Sequence, residues 1–131
     1  MTPEPVILPF TATVAEALAV IREADLPVEL AAQVFVVQPP TSTPTGRYLG
    51  LVPFQRLLRE SPGTTLEHCV FAEPDAVQPE LPLRDVAERL AAYDALAVPV
   101  CDRTQRLVGA VTVDDVLDHV LPDDWRRAGR R

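Results

Sequence analysis

Three carboxylates, Asp114, Asp115 and Asp118, follow one another at helical spacing late in the sequence. Side chains three or four residues apart on a helix come within reach of each other. Hard oxygen ligands of this kind suit Mg2+, which is normally held by one or two carboxylates while it keeps several waters. A plainer use competes with that one, because acidic residues in a first helical turn complement the positive end of the helix dipole. Dipole complementation accounts for Asp114 and Asp115 but not for Asp118, which falls near the helix's end; the alternative for it is a solvated acidic face. Thr112-Val-Asp-Asp115 adds a hydroxyl three residues ahead of a carboxylate, the capping-box arrangement that opens a helix.

Other residue types that do chemistry are poorly placed for it. His68 and His119 are single and far apart, with no partner at metal-ligand spacing, and read as surface or core histidines. Neither Ser61 nor Cys69 has a base at motif spacing, and the five glycines form no phosphate-cradling loop. An enzyme is not expected. Cys69 and Cys101, beside the apolar Val70 and Val100, read as small buried thiols in a reducing compartment rather than as a bridge.

The elements that carry these residues are written twice. Arg106 to Asp118 encodes a buried strand, a glycine and a capped helix start, and Arg47 to Leu58 has the same layout. Gly50 answers Gly109, Val52 answers Val111, and Leu57-Leu58 answers Val116-Leu117. Upstream of each, Val14, Ala17, Leu18 and Ile21, and again Leu83, Val86, Ala87 and Leu90, fall on one helical face. The helices are offset by 69 residues and the glycines by 59, so the first unit carries ten extra residues. Turn formers over Gln38 to Gly46 locate that insertion as a surface loop.

The first unit is therefore read as a strand over 6–8, a helix from Thr13 to about Ala24, a buried strand over 34–37, a strand over 48–52 and a helix over 54–60. The second is read as a strand stub at 76–77, a helix over 83–93, strands over 97–101 and 107–112, and a helix over 113–120. Each unit is β-α-β-β-α, in the α/β class. Thr13-Val-Ala-Glu16 is a second capping box, and Pro82 pre-sets φ for the remaining long helix. Leu121-Pro122 stops the last helix, and Asp123-Asp124-Trp125-Arg126-Arg127 reads as an aromatic anchor giving way to a frayed basic tail. The apolar pairs Leu57-Leu58 and Val116-Leu117 exceed what one small core absorbs, which predicts a two-fold dimer.

At 131 residues and 47% hydrophobic content the chain can bury one core or two intimately packed half-domains. A net charge of −7, with every one of its 12 basic residues an arginine and most of them scattered, excludes nucleic-acid binding and favours cations as partners. No apolar run approaches the ~20 residues of a membrane span and the N-terminus carries no leader pattern, so a cytoplasmic protein is expected.

Ala97-Val-Pro-Val100 followed by Gly109-Ala-Val-Thr-Val-Asp-Asp115 resembles the motif of the tandem cystathionine-β-synthase (CBS) domain pair. Met1-Thr-Pro-Glu4, Tyr93-Asp94 and Thr112-Val-Asp-Asp-Val-Leu-Asp118 are similar, more narrowly, to the cytoplasmic CBS pair of MgtE-type magnesium channels. The resemblance covers essentially the whole chain, and its motif is specific in the second unit and weak in the first. It implies two β-α-β-β-α units with pseudo-two-fold symmetry: a degenerate unit over 1–69 with its insertion at about 38–46, a second over 70–125, and a basic tail over 126–131. It implies a homodimeric regulatory module, part of a longer protein, following a helical N-terminal domain and attached to a membrane channel that its magnesium-filled state holds closed. No catalysis is implied.

Carried over residue by residue, Asp94, Asp115, Asp118 and Asp123 fall at or beside magnesium-ligand positions of that family, while Pro82 and Arg84 stand where it has acidic residues. Thr112 and Asp115 match its Thr-x-x-Asp, which hydrogen-bonds the ribose of an adenine nucleotide; the capping box is the competing use of the same two side chains. The equivalent place in the first unit reads Pro53-Phe-Gln-Arg56, with no hydroxyl and with a cation in place of the carboxylate. There Arg56 can meet a phosphate, but Ala95 stands where the family has a large aromatic ring, so nucleotide is not expected at that site. The expected function is a Mg2+-sensing, dimerising regulatory module. The alternatives are an interaction scaffold that has lost its ligands and an adenine-nucleotide sensor.

Overall fold

The computed structural model describes residues 4–72 and 75–120. The chain runs β1 (Ile7–Pro9), α1 (Val14–Glu23), α2 (Val28–Ala31), β2 (Gln33–Val37), β3 (Tyr48–Pro53), α3 (Phe54–Arg59), a 3-10 turn (Leu66–His68), α4 (Leu83–Ala92), β4 (Ala97–Cys101), β5 (Leu107–Thr112) and α5 (Val113–Val120). Among the described residues, the elements not expected from sequence are the short α2 and the 3-10 turn, and β1 begins one residue later than expected. In the first sheet β1 lies parallel to β2 and β2 antiparallel to β3. In the second, β4 and β5 pair antiparallel, and Val77 supplies the parallel neighbour as a single bridge to Val100. The expected strand stub is thus one residue long.

The repeat survives at the level of register. Gly50 sits opposite Val36 and Gly109 opposite Val100, and each central strand shifts register at the next residue. Both central strands are buried along their full length, because successive side chains point to opposite faces and both faces are covered. Val34 and Val36 face the helices of their own unit with Val14, Ala17, Leu57 and Leu66. Val98 and Val100 do the same with Val86, Leu90 and Val116. The alternate residues Phe35, Val37, Leu51, Cys101 and Leu107 form a third cluster, the seam between the units. Tyr48 joins it edge-on to Phe35, with ring centroids 6.2 Å apart; burial raises its phenol pKa far above the ordinary range.

The insertion is not only a surface loop. Most of it is exposed, but Thr45 is fully buried. Its amide donates to Leu107 O at 3.0 Å and its Oγ1 accepts from Leu107 N at 3.1 Å, while the Tyr48 amide donates to Gln105 O at 2.8 Å. The loop therefore straps the first unit onto β5 of the second. Similarly, Phe71 exchanges backbone hydrogen bonds with Leu51 at 2.8 and 2.9 Å, so the segment after Cys69 closes the edge of the first unit's sheet before Val77 joins the second. Both cysteines are free and buried, Cys69 in the first unit's core and Cys101 in the seam.

The apolar helix ends divide in a way that sequence did not foresee. Leu57 and Val116 fill the cores of their own units, whereas Leu58 is exposed and Leu117 lines an open groove.

Candidate functional site

Thr112 ends β5 and opens α5. The Asp115 amide donates to Thr112 Oγ1 at 3.1 Å, and the Thr112 amide donates to Asp115 Oδ2 at 3.1 Å. The capping box is complete, so one carboxylate oxygen of Asp115 is committed to the helix start. Both residues line a small cleft of about 160 Å³, together with Asp114 of α5 and with Pro27, Glu29 and Leu30 from the first unit. Glu29 escaped the sequence reading. Its signal was Pro27 followed by an acid in the first turn of a short helix.

The pseudo-equivalent cleft, about 320 Å³, lies at the far side of the seam. Gln33, Leu51 and Pro53 of the first unit face Tyr93, Asp94 and Leu96 of the second across it. Pro53 occupies the N-cap position of α3 and offers no side-chain hydrogen bond. Arg56 does not line this cleft: its Nε lies 2.7 Å from Glu60 Oε1 and its guanidinium sits 5.5 Å from the centre of the Phe71 ring. The cation that sequence offered to a phosphate is engaged elsewhere. Tyr93, two positions before Ala95, is the aromatic residue among those that line the cleft.

Asp94 reaches its place through the end of α4. With φ at +49°, it occupies the left-handed position of a Schellman turn: its amide donates to Ala91 O at 3.3 Å and that of Ala95 to Leu90 O at 2.9 Å. Aspartate tolerates this conformation better than most residues. Asp94 consequently stands on the ridge between the 320 Å³ cleft and an apolar groove of about 470 Å³ between α4 and α5.

Asp118 is exposed, one turn along α5 from Asp114. The chain does not gather Asp94, Asp115 and Asp118 into one cage, and among the described residues no group of three or more His, Cys, Asp or Glu side chains is placed to hold a metal ion. Asp123 and the basic tail lie outside the described residues. His119 Nδ1 lies 2.9 Å from Asp115 O and His68 beside Glu67, both exposed.

Two β-α-β-β-α units joined through their sheets, with a cleft on each side of the seam, define a tandem α/β module. Residues 1–63 and 64–122 each match the CBS domain, and the chain belongs to the CBS-domain family. It is 35% identical over 118 residues, 90% of its length, to the magnesium transporter MgtE of Thermus thermophilus, and 33% identical over 76 residues to that of Bacillus subtilis. It spans a quarter or less of the length of these relatives. Among solved structures, the cytosolic domain of the Mg2+ channel MgtE in complex with ATP superposes with a TM-score of 0.74 at 31% identity, over 92% of this chain and 46% of that one. A cystathionine beta-synthase pair domain from Shewanella oneidensis MR-1 gives 0.78 at 23% identity, over 98% and 67%, a likeness of fold alone. A quarter of the GMP reductase chain of Trypanosoma brucei shares that fold, at 20% identity and a TM-score of 0.71, so the fold by itself assigns no activity. No helix among the described residues is long and apolar enough to cross a membrane.

Proposed function

We propose that this CBS pair, with units over 1–69 and 70–125, is the cytoplasmic regulatory module of a magnesium-transport protein. It dimerises through its helical faces and responds to Mg2+. The observation that carries this reading is the likeness to magnesium transporter MgtE over nine-tenths of the chain, taken with the acidic residues that the fold leaves on exposed helix surfaces. Because the described residues of one chain gather no group of three or more metal-ligating side chains, the cation in this reading acts between chains or between this module and an adjoining helical or membrane domain. There Asp94, Asp115, Asp118 and Asp123 meet symmetry mates, and retained waters span the distances. Two apolar grooves support the two-fold partner: the one between α4 and α5, and a counterpart of about 370 Å³ lined by Ile21, Val28, Ala31 and Phe54.

Binding to the native state stabilises it by RT ln(1 + [L]/Kd), so Mg2+ at ten times its Kd adds only about 1.4 kcal/mol. The melting temperature of the dimer is expected to rise by a few degrees in millimolar Mg2+, beyond a potassium control matched in ionic strength. Asp118→Asn combined with Asp94→Asn removes the magnesium-specific part. An undiminished shift in the double variant, or equal shifts with both salts, refutes cation sensing; sedimentation showing only a 14.3 kDa species refutes the dimer.

A second reading, adenine-nucleotide sensing, is favoured by Thr112 and Asp115 lining one cleft. The capping box leaves the Thr112 hydroxyl proton and one Asp115 oxygen for a ribose. Calorimetry with ATP and AMP on the parent and on Thr112→Val separates this from the cation reading.

A further inference from the structure

The 320 Å³ cleft lacks what a phosphorylated ligand needs. Pro53 offers no hydroxyl, Arg56 is held by Glu60 and Phe71, and the only full charge on the lining is the carboxylate of Asp94. None of the ion pairs among the described residues uses that carboxylate. Beside it stands Tyr93, 47% exposed, and no cation among the described residues lies on its ring. The opposite wall is apolar, formed by Leu51 and Pro53, with the buried Gln33 as its polar member. Gln33 is anchored by its Nε2, which donates to Glu29 O at 2.8 Å.

From this juxtaposition we infer that the cleft binds a small organic monocation, of the quaternary-ammonium or protonated-amine class, its charge between the Tyr93 ring and the Asp94 carboxylate and its apolar body against Leu51, Pro53 and Leu96. An aromatic face attracts a cation through its quadrupole, and a carboxylate at the mouth of an apolar cleft repels anions while it attracts cations. The volume falls at the lower end of small-molecule sites, which suits a ligand of modest size. Hydrated Mg2+ has no apolar body to place against these walls, so the inference is independent of the magnesium reading although Asp94 serves both.

The test is a titration of the isotope-labelled chain with benzyltrimethylammonium chloride, against sodium chloride at equal ionic strength, followed by amide chemical shifts. Saturable shifts confined to the amides of residues 32–33, 51–52 and 93–97 are expected. Tyr93→Leu is expected to weaken binding by about three- to tenfold. Asp94→Asn, which keeps a residue that accepts the left-handed conformation, is expected to weaken it by a similar factor, and Asp118→Asn to leave it unchanged. Tyr93→Leu should leave the Mg2+-dependent melting shift intact, which separates the two readings. Linear, unsaturable shifts, shifts matched by sodium, or an unaltered affinity in Tyr93→Leu overturn the inference.

Discussion

Replacing Thr45 by valine keeps the shape of the side chain and removes its hydroxyl, which makes it a direct probe of the strap between the units. In the parent, Oγ1 accepts from the Leu107 amide at 3.1 Å and donates to Gly46 O at 2.7 Å. Thr45 and Leu107 are both wholly buried, so the orphaned Leu107 N–H has no water to turn to. A buried donor left unsatisfied costs about 1–3 kcal/mol. Gly46 is half-buried and its carbonyl can recover part of its loss from solvent. The backbone bond from Thr45 N to Leu107 O is untouched. We therefore expect about 2 kcal/mol of destabilisation. With a urea dependence of about 2 kcal/mol per molar for a domain of this size, the unfolding midpoint should fall by about 1 M with unchanged slope. Thr43→Val, on the exposed part of the same loop, is the control and should stay within about 0.5 kcal/mol of the parent. If Thr45→Val and Thr43→Val prove equally mild, the strap does not hold the units together and the reasoning fails.

Gly50 and Gly109 occupy equivalent places in the repeat, yet alanine should separate them sharply. At Gly50, φ is +145° and a Cβ would meet Phe71 O and approach Val70 Cγ2 to 2.7 Å, so Gly50→Ala should cost about 3 kcal/mol; at Gly109 nothing lies within 4 Å, and Gly109→Ala should be neutral or mildly stabilising by thermal melting. Burial, helped by the Asp102 carboxylate, pushes the Cys101 thiol from 9.0 up to about 11. The folded state thus holds a proton that the unfolded state gives up sooner, so this contribution to stability is complete below pH 9.0 and lost as pH rises towards about 11. Iodoacetamide at pH 8 should label Cys101 only on denaturation, and rapid native labelling would contradict its place in the seam.

Much of the fold was legible because its signals are local. The 3.6-residue period of Val14 to Ile21 and of Leu83 to Leu90, the apolar runs of β2 and β4, and the Thr112/Asp115 cap each depend on residues a few positions apart. Even the failures follow from this: α2 is a single turn too short to show a period, and nothing near Thr45 tells that its hydroxyl will meet Leu107, 62 residues away.

The candidate site divides the same way. By itself the sequence determined that there are two α/β units, that Thr112 and Asp115 start a helix, and that the first unit lacks their equivalent, because each follows from residue type at fixed short spacing; the CBS type came from the resemblance of its motifs to that family. Only the tertiary structure decided that Asp94 and Asp115 line different clefts, that Glu29 joins the second of them, that Arg56 turns to Glu60 and Phe71 instead of to a ligand, and that Gly50 is crowded where Gly109 is open. Those outcomes depend on how one sheet lies on the other and which backbone passes each side chain. A repeated sequence pattern repeats its local structure, but the two copies face different neighbours once packed.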